Sequence, residues 1–166
     1  PPMRLFIVRH GKAEDRAAHH GADRDRRLTP RGVRQAEFLA DALAPLMPQG
    51  ARAAVSPVER ARHTGVLLCD ALGLNPDFDD RLSTSFGIEE ALAVVGEARD
   101  AGTRSDTPAA LFVVGHNPTL EELGWWLSPN DAHHHELRTG ECVVFDLRGD
   151  LRRGCGEWVA RLRLED

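Results

Sequence analysis

Leu5-Phe6-Ile7-Val8-Arg9-His10-Gly11-Lys12 is the stretch on which the fold turns. Four apolar residues run into an arginine, a histidine and a glycine. An apolar run of four ended by a glycine reads as a short strand buried on both faces. Its polar residues then fall at the strand's carboxyl end, the edge of an open α/β sheet where ligands bind. A second stretch, Leu111-Phe112-Val113-Val114-Gly115-His116-Asn117, has nearly the same form. If the two strands are neighbours, His10 and His116 converge.

The rest of the chain supports a sheet with helices around it. Ala13 to Arg27, dense in charge and small residues, reads as a loop. Thr29 reads as the N-cap of a helix with Pro30 at its first position, and Val33, Ala36, Leu39, Ala40 and Leu43 give it an apolar face as far as about Leu46. Ala51 to Val55 reads as a strand. Ser56 and Glu59 then match a capping box, with Pro57 at the first helical position and a helix ending at Gly73. Leu74 to Gly87 is loop-like, and Ile88 to Ala101 is helical. The strand before His116 is followed by a helix from Pro118 to about Leu127. Cys142 to Leu147 and Trp158 to Leu164 read as a pair of antiparallel strands. The order predicts one α/β domain over residues 1–166, around one mixed sheet.

Composition narrows the function. The chain has 166 residues, 42% hydrophobic and 28% charged, enough for a packed core without staples. Its net charge of -5 argues against a nucleic-acid partner. No apolar run approaches the length of a membrane span, and Leu5 to Val8 is too short for a signal peptide, so a cytoplasmic location is expected. The three cysteines, Cys69, Cys142 and Cys155, lack metal-ligand spacing and fit a reducing compartment. Lys12 is the only lysine among 21 basic residues.

The chemistry follows from residue type. A neutral imidazole held by a hydrogen bond at one nitrogen is a nucleophile at the other. Phosphoryl transfer needs positive charge around the non-bridging oxygens, and the forked guanidinium of arginine matches two of them. Arg9 adjoins His10, and Arg60 lies in the first turns of a helix whose N-terminus favours anions. His133-His134-His135 reads as a solvated loop, because consecutive residues on an extended chain point alternately and share a metal poorly. Arg31 and Arg62 read as solvated helix charges and Thr64 as packing. Of Trp125 and Trp126, one ring is expected in the core and the other partly exposed.

Arg9-His10-Gly11 after a strand, Arg27-Leu28-Thr29 with Gly32, Ser56-Pro57 with Arg60, Ala61 and Thr64, and Gly115-His116-Asn117-Pro118 stand in one order. Together they resemble the histidine phosphatase superfamily, the phosphoglycerate-mutase-like group. The compact size and Arg9-His10-Gly11-Lys12-Ala13-Glu14 look most like its SixA-type phosphohistidine phosphatases. The resemblance implies a three-layer α/β/α domain with a mostly parallel central sheet and a minimal lid. It implies His10 as nucleophile, Arg9 and Arg60 as ligands of the phosphoryl oxygens, and His116 as a second histidine that stabilises the transition state. Lys12, Ser56, Glu14 and Glu89 are less certain pocket neighbours. No metal and no cofactor is required. The implied partner is a phosphorylated protein of the histidine phosphotransfer type, or a small phosphorylated compound, with no nucleic acid and no membrane involved.

No carboxyl group is fixed by a motif as proton donor; Glu14, Glu89 and Glu90 lie in plausible regions. An alkoxide leaving group needs such a donor strongly, whereas imidazole leaves easily. The short interval from Gly73 to Gly87 leaves little chain for a lid, which suits a phosphoryl group on a protein surface better than a mutase. Two alternatives stay open: a small-molecule phosphomonoesterase, and a phosphate-binding module with weak turnover.

Overall fold

Both faces of the first strand are covered, and this explains its unbroken apolar sequence. The computed structural model describes residues 2–101, 109–129 and 136–166. β1 spans Met3–Arg9. Met3, Leu5 and Ile7 point into one core, and Phe6 and Val8 into a second on the opposite face. All five are fully buried. Each such side chain stabilises the fold by about 1.5–3 kcal/mol relative to an exposed one, so the strand is held from both sides.

The remaining elements are α1 (Pro30–Leu43), β2 (Ala51–Val55), α2 (Glu59–Leu72), β3 (Pro76–Phe78), α3 (Ile88–Ala101), β4 (Ala110–Gly115), α4 (Thr119–Leu127), β5 (Cys142–Leu147) and β6 (Gly156–Leu162). Among the described residues the sheet has six strands in the order β3-β2-β4-β1-β5-β6. Pairing is parallel from β3 through β1; β5 pairs antiparallel with both β1 and β6. Only β5 therefore opposes the others, and the sheet is mostly parallel, as expected. Leu39, Leu43, Ala61 and Leu68 of α1 and α2 cover one face. Ala91, Val95, Leu120 and Leu123 of α3 and α4 cover the other. This is a three-layer α/β/α arrangement. The rings of Phe6 and Phe112 stack across β1 and β4 at 4.2 Å.

The register places the two histidine strands side by side, with Arg9 opposite Gly115. His10 follows the end of β1 and donates its backbone N–H to the Gly115 carbonyl at 3.1 Å. The convergence expected of neighbouring strands is thus met.

Several local expectations are corrected. α1 gives way at Ala44 to a single 3-10 turn, where Pro45 cannot continue the hydrogen-bond ladder. Leu74 to Gly87 contains a short edge strand, β3, and a 3-10 turn over Asp80–Leu82. Three residues that begin with proline are too few to show a period of two. The capping box at Ser56 is not formed: α2 starts at Glu59, its N-cap is Val58, and Glu59 pairs with Arg62 instead. Thr29 does cap α1, accepting the Gly32 N–H at 3.1 Å. Trp125 is 45% exposed while Trp126 packs against the core, as expected.

Two glycines allow close backbone approach that no side chain would permit. A Cβ on Gly11 would stand 2.7 Å from the Gly32 carbonyl oxygen, and one on Gly32 would stand 2.3 Å from that of Lys12. The loop after β1 is thereby pressed onto the start of α1. Cys69 and Cys142 are buried, and burial pushes the Cys69 thiol up to about 11.

Candidate active site

A cleft of about 380 Å³ opens at the carboxyl ends of β1 and β4. Arg9, His10, Arg60 and His116 all line it. β1 delivers the first pair, α2 supplies Arg60 from its first turn, and His116 follows β4. Both histidines are buried, 7% and 5% exposed, and their ring centroids lie 5.3 Å apart.

The ring of His10 is fixed by one hydrogen bond, between Nδ1 and the Gly11 carbonyl oxygen at 2.8 Å. A carbonyl only accepts, so the hydrogen is assigned to Nδ1 and the lone pair to Nε2. Burial pushes this histidine down to about 4; the charges of Arg60, Arg9 and Arg26 act in the same direction, against the Gly11 bond. At neutral pH His10 is therefore an uncharged imidazole with a free ring nitrogen. Its loop is anchored by Thr64, whose Oγ1 accepts the Gly11 N–H at 3.0 Å while donating to the Arg60 carbonyl at 2.7 Å. The sequence points to Thr64 as a packing residue; in the structure it also ties the loop after β1 to α2, and so His10 to Arg60.

Burial also pushes His116 down, to about 3, with the charges of His10 and Arg60 adding to the effect. Its Nε2 lies 2.8 Å from Ser56 Oγ. Ser56 is fully buried and its Oγ also accepts the Val58 N–H at 3.2 Å. Ser56 thus stands behind His116, in contact with its ring, and is not itself among the residues that line the cleft.

Arg60 is 3% exposed and donates to the Asp23 carbonyl at 3.0 Å and to the Asp23 carboxylate at 3.2 Å. Arg9 donates to the Leu137 carbonyl at 3.0 Å. Burial lowers both guanidinium groups from their ordinary value, yet guanidinium stays charged in proteins. Among the described residues, four buried side-chain polar atoms have no partner: Arg9 Nε, Arg60 Nε, His116 Nδ1 and Asn117 Oδ1. All four belong to residues that line this cleft. An unpaired buried polar group costs about 1–3 kcal/mol, so their concentration here marks a place built for a polar ligand.

Of the remaining expected residues, Lys12 and Glu14 line the cleft and Glu89 does not. Glu89 lies in the first turn of α3. Glu14 Oε1 accepts the Arg27 N–H at 2.7 Å. Sequence reasoning missed Asp23 and Arg26, which reach the cleft from the loop it had left without a function. Asp23 binds Arg26 at 2.8 Å as well as Arg60. Burial pushes the Asp23 carboxyl up, but the hydrogen bonds and charges of Arg26 and Arg60 outweigh it, and the net shift is down. The only available signal was charge density between two motifs, which does not single out one aspartate. The His133–His135 run lies outside the described residues. Among those described, no group of three His, Cys, Asp or Glu side chains could hold a metal ion, and no helix is long and apolar enough to cross a membrane.

A neutral, oriented histidine among guanidinium groups at a sheet's carboxyl edge has the groups that phosphoryl transfer needs. The sequence model of the histidine phosphatase superfamily (branch 1) matches residues 5–107, and the chain belongs to that superfamily; it is a phosphatase. An uncharacterized protein of Picosynechococcus sp. is 32% identical over 152 residues, covering 91% of this chain and 88% of that protein. Among solved structures, the protein histidine phosphatase SixA complexed with tungstate has a TM-score of 0.80 at 24% identity, covering 97% of each chain. A proposed phosphohistidine phosphatase SixA from Nakamurella multipartitia has a TM-score of 0.77 at 27% identity, covering 98% of this chain and 96% of that one.

Proposed function

We propose that the chain, acting as one domain, removes a phosphoryl group from phosphohistidine on a protein through a covalent intermediate on His10. The observation that carries this reading is the ring of His10, neutral, with its hydrogen held at Nδ1 by Gly11. The Nε2 lone pair attacks phosphorus and forms the new N–P bond. The N–P bond of the substrate breaks, and its electron pair stays on the departing imidazole. Water then attacks the phosphoryl group on His10, and His10 leaves with its electron pair as inorganic phosphate is released. Arg9 and Arg60 bind the non-bridging oxygens and offset charge as it moves. We assign the Ser56 hydroxyl hydrogen to His116 Nε2, which leaves Nδ1–H of His116 as a further donor to phosphate.

The preference for an N–P bond rests on the acid available. Asp23 and Glu14 both line the cleft, but Arg26 and Arg60 hold Asp23 in the ionised form, so it offers no proton to an alkoxide, and Glu14 Oε1 is engaged by the Arg27 N–H. An imidazole leaving group needs far less help. The SixA proteins among the similar structures carry the same activity in their names, which supports the reading. A cytoplasmic setting, where histidine phosphotransfer proteins reside, fits it.

The test is single-turnover labelling. Protein carrying radiolabelled phosphohistidine should transfer label to the wild type within the turnover time and none to His10→Ala. The labelled bond should be acid-labile and alkali-stable, as an N–P bond is. Faster turnover of sugar phosphates than of phosphohistidine protein would move the assignment to a small-molecule phosphatase. Binding of phosphate without label or turnover would make it a binding module.

A further inference from the structure

Beside the cleft lies a second hollow, of about 620 Å³, that the mechanism does not use. Lys12, Arg31, Arg34 and Arg163 supply its cations, with Asp166 as its one carboxylate. Asp166 binds Arg31 at 2.7 Å and Arg163 at 3.2 Å. The side chains of Lys12 and Arg34 are exposed and make no hydrogen bond or ion pair among the described residues. Four cations against one carboxylate leave a strongly positive groove on a chain whose net charge is -5. Such a local excess is what attracts an acidic partner and sets its orientation.

The groove is joined to the cleft. Lys12 and Thr139 line both. Gln35 fixes the wall between them: its Oε1 accepts the Lys12 N–H at 2.8 Å, and its Nε2 donates to the Thr139 carbonyl at 3.2 Å. Gln35 thus ties the main chain just after His10 to the wall of the groove. A chain crossing the mouth of the cleft can reach both hollows, because Lys12 and Thr139 line both.

Resting on the function proposed above, we infer that the groove of Lys12, Arg31, Arg34 and Arg163 binds acidic side chains of the phosphorylated protein, on the segment that flanks the residue presented to His10. The occupant is an extended or helical protein segment rich in Asp and Glu, and the groove selects among phosphoproteins by their charge next to the phosphorylated histidine.

Two phosphohistidine peptides test this, identical except that flanking Asp and Glu in one are Asn and Gln in the other. The wild type should favour the acidic peptide in kcat/KM by about fivefold to tenfold, and about 0.3 M salt should erase the preference. Arg34→Glu should collapse or invert the ratio through KM. Arg34 is exposed and has no partner among the described residues, so the melting temperature of the variant should match the wild type. Equal kcat/KM for the two peptides in the wild type, or an unchanged ratio in Arg34→Glu, overturns the inference. Anisotropy with the unphosphorylated acidic peptide separates it from the catalytic reading: that peptide should bind the wild type and not Arg34→Glu, whether or not label reaches His10. Binding of a small polyanion such as pyrophosphate that depends on Arg34, with no binding of the acidic peptide, would overturn the assignment to a protein segment.

Discussion

Acidification from pH 7 to pH 5 should destabilise this protein through its two buried histidines. Burial places His10 at about 4 and His116 at about 3, so both rings stay neutral in the folded chain across this range. In the unfolded chain each titrates near the ordinary 6.5. The unfolded state therefore binds more protons, and stability is full above 6.5 and falls as pH drops toward the folded values. Each ring contributes a loss of about 2 kcal/mol between pH 7 and pH 5, and the pair about 4 kcal/mol, at about 1.4 kcal/mol per unit. The figure holds as long as the folded values lie about a unit or more below 5. Urea unfolding at the two pH values measures it directly. His10→Asn and His116→Asn should each remove about half of the difference, and the double variant nearly all of it. A double variant that keeps the wild-type pH dependence would show that these rings are not held neutral by burial.

Three further outcomes are expected. Ser56→Ala leaves the Val58 N–H and His116 Nε2 unpaired in a fully buried site; it should cost about 2 kcal/mol in urea unfolding and lower kcat more than it raises KM. Asp23→Asn removes a negative charge that competes for Arg60; calorimetry should show inorganic phosphate binding roughly threefold to tenfold tighter, and equal or weaker binding would mean that Asp23 only positions the arginine. Gly32→Ala would drive a Cβ to 2.3 Å from the Lys12 carbonyl oxygen; a loss of about 1–3 kcal/mol is expected, read as a lower melting temperature, together with slower turnover as the loop carrying His10 shifts.

Much of the fold was legible because its strands are buried on both faces. A strand such as Leu111 to Val114 then reads as an apolar run, and no knowledge of its neighbours is needed to place it. β3 was not legible, because three residues at a sheet edge bury little and carry no pattern. Ser56 shows a different limit. Its spacing to Glu59 matches a helix cap, but the hydroxyl is occupied by His116, which arrives from a strand 60 positions away. Local rules could not weigh that competitor.

The sequence by itself determined the chemistry: a histidine and an arginine after one strand, a matching histidine after another, and an arginine at a helix start. Residue type and the strand-end position suffice for that, since they fix which groups can be nucleophile or anion ligand. Tertiary structure alone decided how those groups are tuned. The tautomer of His10 depends on where the Gly11 carbonyl points, and its neutrality on how deeply β1 and β4 bury the ring. Asp23 and Arg26 join the site only because the loop after β1 folds back over the cleft, with Ala13 bridging to Leu28 at its base. Burial and long-range hydrogen bonds are properties of the assembled chain, and no window of sequence contains them.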